Sequence, residues 1–203
     1  MNYNEWKEYN LDEVYGFASG LSKKASEFGS GFPFLSFKDV FYNYFVPTEL
    51  ENLANTTDKE RLRCSVNRGD VFLTRTSETL NELGMSCVAL KDYPNASFNG
   101  FTKRLRSKDT VEIHPEYAGY YFRSLRFRST ITSMSTMTTR ASLNNDMLSI
   151  LKITVPPIQE QKAIANILSS LDEKIELNNQ MNKTLEEMAQ ALFKRWFVDF
   201  EFP

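Results

Sequence analysis

From residue 160 to about residue 198 the chain places an apolar side chain at every third and fourth position in turn. The stripe runs Ile164, Leu168, Leu171, Ile175, Asn178, Asn182, Leu185, Ala189, Leu192, Trp196, and eight of its ten positions are apolar. An alternation of three and four averages 3.5 residues, the period of a seam along a helix that packs on another helix. At 1.5 Å per residue the segment predicts a rod roughly 58 Å long. A rod of that length projects beyond a domain of ~150 residues, so its stripe calls for a partner helix. Asn178 and Asn182 interrupt the stripe at its middle. Buried asparagines lower stability but fix register, because a slipped pairing leaves their amides without partners. The pattern also admits an amphipathic helix that turns back as a hairpin at Asn178-Asn179.

The first part of the chain has a different rhythm. Asp70-Val71-Phe72-Leu73-Thr74 and Met85-Ser86-Cys87-Val88-Ala89-Leu90 are short, mostly apolar runs, the pattern of buried strands. Gly69-Asp70 and Tyr93-Pro94-Asn95 supply turn residues beside them. Pro115 followed by Glu116 and a mixed apolar run to Leu125 predicts a helix with proline in its first turn. All eight glycines lie at or before Gly119, and residues 158–202 contain neither glycine nor proline. The reading is therefore α+β, with a mixed α/β domain over residues 1–154 and a helical region over residues 155–203. Pro156-Pro157 marks the junction, since prolines stop the preceding element and start a helix.

Composition narrows the chemistry. The chain has 203 residues with one histidine, His114, and two cysteines, Cys64 and Cys87. A structural zinc site wants four closely spaced Cys and His ligands, which this supply does not meet. A zinc-protease helix needs two histidines four apart, and a Ser-His-Asp or Cys-His arrangement would have to use His114, which reads as a capping or surface residue. No phosphate-cradling Gly-x4-Gly-Lys loop is present. Catalytic residues and metal ligands are accordingly none. The first ten residues are polar and no apolar run reaches the ~18–20 residues of a membrane span, so the expected setting is cytoplasmic, away from membranes, with reduced thiols.

The net charge of −2 conceals an uneven distribution. Residues 103–140 hold eight basic residues against three acidic ones, and residues 61–75 hold four against one. Arginine dominates both stretches, and its planar fork suits phosphates and guanine edges. Hydroxyl and amide side chains lie close by in sequence, as on a surface that reads a DNA groove. A solvated face of ordinary ion pairs is the other reading of the same clusters.

The run Ile153-Thr154-Val155-Pro156-Pro157-Ile158-Gln159-Glu160-Gln161-Lys162-Ala163-Ile164-Ala165 resembles the signature of specificity subunits of type I restriction–modification enzymes. So do Leu168-Ser169-Ser170-Leu171-Asp172-Glu173-Lys174-Ile175, Met188-Ala189-Gln190-Ala191-Leu192-Phe193-Lys194 and Trp196-Phe197-Val198-Asp199-Phe200. Upstream, Gly69-Asp70-Val71-Phe72-Leu73-Thr74-Arg75 is similar to a strand of the family's target recognition domains. The resemblance implies a non-catalytic subunit that binds double-stranded DNA and recruits modification and restriction subunits. It places S-adenosylmethionine and ATP on those partners, with no cofactor in this chain. Family members usually carry two recognition domains and two helical regions that pair antiparallel; here there is one of each. The chain thus resembles a half subunit, and the expectation is a homodimer, joined through the stripe as an antiparallel coiled coil, that reads a split palindromic site. Pairing with a longer specificity subunit, to alter its target or to sequester modification subunits, is the alternative.

The expected DNA-binding residues are Arg75, Ser77, Asn99, Lys103, Arg104, Arg106, Thr139 and Arg140. Arg123, Arg126 and Arg128 are expected on the solvent face of the helix that starts at Pro115.

Overall fold

A computed structural model describes residues 5–77, 79, 82–134 and 141–202. Two compact units divide between Lys162 and Ala163. The first unit begins with β1 (Lys7–Asn10), α1 (Leu11–Val14) and β2 (Tyr15–Ser19), followed by β3 (Phe28–Leu35), α2 (Phe37–Tyr42), β4 (Leu53–Ala54) and α3 (Asp58–Arg63). Next come β5 (Val71–Thr74), β6 (Thr76–Ser77), β7 (Ser86–Val88), β8 (Ser97–Phe98) and β9 (Thr102–Ser107). Helices α4 (Pro115–Arg123) and α5 (Leu125–Met134), strand β10 (Ala141–Ser142), helix α6 (Asn145–Ile150) and strand β11 (Lys152–Val155) lead into the long helix α7 (Ile158–Phe193).

The centre of the first unit is an antiparallel sheet in the order β2-β9-β5-β7. Successive side chains of a strand point to opposite faces, and here both faces are covered. Val71, Leu73, Val88 and Leu105 enter a core with Leu11 and Val14 of α1, Phe122 of α4, Phe127 and Ile131 of α5, Leu148 of α6 and Ile153 of β11. Phe72 and Cys87 enter a second core with Phe34 and Leu35 of β3, Val40 of α2, Ala54 of β4 and Phe98 of β8. Double-sided burial is why residues 71–73 form an unbroken apolar run instead of an alternation. A second sheet, β4-β3-β8, contributes to the second core. β1 closes against β11 in register from Lys7–Val155 to Asn10–Lys152.

Local chemistry starts the short helices. Ser36 and Asp39 form a reciprocal capping box at α2, and Thr57 and Glu60 form another at α3. The Thr57 backbone N–H, together with Lys23, holds the Glu60 carboxyl down at about 2. Pro115 stands at the start of α4 as the sequence suggests, but the His114 side chain does not cap it. The imidazole Nδ1 lies 2.9 Å from Glu116, and its backbone N–H donates to Gln161 Oε1 at 2.8 Å.

The helix predicted from Pro115 to Leu125 breaks at Ser124, and α5 starts anew at Leu125. Arg123 and Arg128 are not on a solvent face. The Arg123 guanidinium turns inward and donates to the carbonyls of Val40, Phe41, Asn43 and Ser86 at 2.7–3.0 Å, tying α4 to α2 and β7. Arg128 donates to the Leu83 carbonyl. Arg126 is exposed and pairs with Glu8, as a surface position would.

In the second unit, α7 runs without interruption through Asn178 and Asn179 and passes into a π-helical turn at Lys194–Val198. The hairpin alternative is therefore excluded. Leu171, Ile175, Leu185 and Leu192 are 46–58% exposed. Ile167, Met181 and Met188, three positions beyond Ile164, Asn178 and Leu185, are exposed as well and widen the apolar band. No helix among the described residues is long and apolar enough to cross a membrane.

Arg123→Ala removes a donor from four carbonyls at once. It is expected to lower stability by about 3 kcal/mol in urea unfolding, with Arg123→Lys restoring less than half of the loss because an ammonium cannot reproduce the fork.

Candidate nucleic-acid interface

β5 and β9 pair antiparallel, with Thr74 opposite Thr102 and Val71 opposite Leu105. The C-terminal end of β5 and the start of β9 therefore lie together, and Ser19 at the end of β2 pairs with Lys103 beside them. Arg75 follows β5 directly. Its backbone N–H donates to the Phe101 carbonyl and its carbonyl accepts from the Leu143 N–H, each at 2.8 Å. These bonds pin the main chain and leave the Arg75 side chain exposed. Ser77 continues in β6, opposite Ala141 of β10, and its hydroxyl donates to Glu82 at 3.2 Å. Asn99 lies in the turn between β8 and β9, where its side-chain oxygen accepts from the Phe101 N–H at 2.7 Å.

Lys103 sits below this rim, 8% exposed. Its ammonium donates to Ser19 Oγ at 3.0 Å and Asn145 Oδ1 at 2.8 Å. Both partners are neutral, so the charge is hydrogen-bonded without being cancelled. Burial, together with nearby Arg75, pulls the Lys103 pKa below the ordinary lysine value. Arg75, Lys103, Ser77 and Asn99 thus gather at one end of the central sheet, with two cations and several hydroxyl and amide groups suited to phosphate and base edges.

Arg104 and Arg106 do not join them. Strand alternation sends both toward the face opposite Lys103 and Leu105. Arg104, 8% exposed, donates to the Ser65 carbonyl at 2.7 Å and lies 5.4 Å over the Phe98 ring. Arg106 grips Asp70 with two bonds of 2.6 and 2.7 Å and also donates to Ser65. This Asp70 pairing raises the Arg106 pKa. Their forks are engaged within the fold, where they organise the chain around Ser65 and Asp70, and the structure places them apart from the Arg75–Lys103 end. Thr139 and Arg140 lie outside the described residues.

The sequence reading missed Phe101, which follows Gly100 at the turn beside Arg75 and is 61% exposed. The Asn99-Gly100 pair is a turn signal that could have located the turn, though not which side chain it presents. It also missed the part of Ser19 and Asn145 in holding Lys103, since they lie 84 and 42 residues away. A nucleophile paired with His114 does not arise from the cysteines: Cys64 and Cys87 are buried in the second core, and burial pushes the Cys87 thiol up to about 12.

The model of the type I restriction modification DNA specificity domain matches residues 3–187. A specificity subunit of the Haemophilus influenzae type I restriction enzyme HindI is 28% identical over 214 residues, covering 98% of this chain and 42% of that subunit. The specificity subunit of the MjaIX enzyme of Methanocaldococcus jannaschii is 30% identical over 196 residues, covering 95% of this chain and 43% of that subunit. Among solved structures, a type I restriction-modification S subunit from M. genitalium superposes with a TM-score of 0.65 at 16% identity, covering 99% of this chain and 48% of that one. The HsdS subunit of Thermoanaerobacter tengcongensis superposes with a TM-score of 0.58 at 20% identity, covering 95% and 45%. The chain thus spans about half the length of the relatives it matches.

The two arginine environments separate in a stability measurement. Arg106→Ala strands the Asp70 carboxylate, 1% exposed, and is expected to cost about 3 kcal/mol or more in chemical unfolding. Arg75→Ala is expected to change stability by less than about 0.5 kcal/mol.

Proposed function

This chain belongs to the family of type I restriction modification DNA specificity domains, and from that premise we propose that it is a non-catalytic DNA-reading subunit. In this reading the first unit contacts one half of a split DNA site through the end of the central sheet that carries Arg75, Ser77, Asn99 and Lys103. Arg75 reaches phosphate or a base edge from the rim, and Lys103 strengthens the positive field from beneath it. The observation that carries the reading is a family match over residues 3–187 joined to two cations, Arg75 and Lys103, at one end of a rigid sheet.

The helical stripe of Ile164, Leu168, Leu171, Ile175, Asn178, Asn182, Leu185, Ala189, Leu192 and Trp196 then serves to join two chains as an antiparallel coiled coil. Its exposed leucines and isoleucines support that role, because an apolar band of this length gains by leaving water against a like band. Two identical readers related by a two-fold axis meet identical half-sites in inverted orientation, so the site is a split palindrome. Modification and restriction subunits, which carry S-adenosylmethionine and ATP, complete the assembly, and the chemistry belongs to them.

The test is the salt dependence of binding to duplex DNA. A residue that neutralises a phosphate contributes about one unit to the slope of log affinity against log salt. Arg75→Ala is expected to weaken binding and flatten that slope by about one unit, with the fold unchanged. An unaltered slope and affinity in Arg75→Ala would remove this end of the sheet from the interface.

A further inference from the structure

Phe101 is an exposed aromatic ring held in a backbone with no freedom to retract. Its N–H is fixed by Asn99 Oδ1 at 2.7 Å and its carbonyl by the Arg75 N–H at 2.8 Å. The residues behind it are clamped as well. Gly100 donates to the Leu21 carbonyl at 2.8 Å, and a Cβ there would come within 2.6 Å of Ser22 Oγ and 2.9 Å of that carbonyl. A Cβ on Gly20 would meet the Asn99 carbonyl at 2.3 Å, so the neighbouring chain packs flush against the turn. Thr102 locks the far side, its hydroxyl donating to the Asn99 carbonyl at 2.7 Å. A ring 61% exposed on so rigid a turn is presented outward by the fold. The exposed Arg75 is joined to it through that backbone N–H bond.

That neighbour selects the ligand. A partner that satisfies the exposed Arg75 is anionic, and a partner that also covers Phe101 offers apolar surface beside that charge. Duplex DNA does both: the thymine 5-methyl is an apolar group on the major-groove edge, within a frame of phosphates, and a phenylalanine ring packs on it. We propose that Phe101 is a specificity-determining residue that packs on a thymine methyl in the half-site. This rests on the DNA-reading role proposed above and adds the base feature that the surface recognises.

The experiment selects binding sites for the purified chain from a pool of random-sequence duplexes, using wild type, Phe101→Leu and Phe101→Ala. Thermal melts that coincide for the three proteins show that the fold is kept, as an exposed position predicts. Wild type is expected to enrich a motif, and Phe101→Ala to enrich the same motif with one A·T position relaxed in each half-site. Phe101→Leu is expected to keep most of the preference at that position. Replacing thymine there with uracil, which removes only the methyl group, should weaken wild type about fourfold, the worth of one buried methyl. The same replacement should leave Phe101→Ala unchanged. An unrelaxed motif in Phe101→Ala overturns the proposal, as does a uracil effect of equal size in both proteins; in either case the DNA-reading role stands. A wild-type chain that enriches no motif overturns that role and the proposal with it.

Discussion

The first unit depends on two neighbouring strands, β5 and β9, being covered on both faces. Val71, Leu73 and Leu105 supply one core and Phe72 the other, so neither strand can shift by one residue without exchanging the two sets. That constraint fixes where the strand ends fall. It sets Arg75 at the exit of β5, Lys103 at the entry of β9 and the Asn99–Phe101 turn between β8 and β9. It also sends Arg104 and Arg106 to the opposite face, where Ser65 and Asp70 take them up. Residues that lie close in sequence thus go to different neighbours: Arg75 and Phe101 are exposed, Lys103 is held by Ser19 and Asn145, and Arg104 and Arg106 are bonded to Ser65.

The second unit poses the complementary problem. A helix of 36 residues with leucines and isoleucines about half exposed is apolar in the wrong place for an isolated chain. Asn178 and Asn182 at its midpoint suit an arrangement in which register matters more than maximal stability. In the proposed dimer the uninterrupted helix would set the spacing between two readers.

Much of this was legible in the sequence, and the reasons are local. The run Asp70-Val71-Phe72-Leu73-Thr74 gave its strand, Pro115 its helix start, Pro156-Pro157 the start of α7 and the 3–4 alternation its length. Charge clustering was a poorer guide. Arg104, Arg106 and Arg123 look on paper like surface cations because their partners are backbone carbonyls, or an aspartate 36 residues away, which no local pattern reveals. Only alternation along β9, once its neighbours were in place, separated Lys103 from Arg104. Phe101 was hidden for the opposite reason: an apolar residue beside a strand reads as core, and only the clamped turn shows that it faces out.

The proposed function requires two copies of this chain on one DNA site. Native mass spectrometry of the purified chain, alone and with a duplex carrying its site, measures this most directly. A dimer in solution and two chains on each duplex are expected. A chain that stays monomeric and binds as a single copy would contradict that expectation.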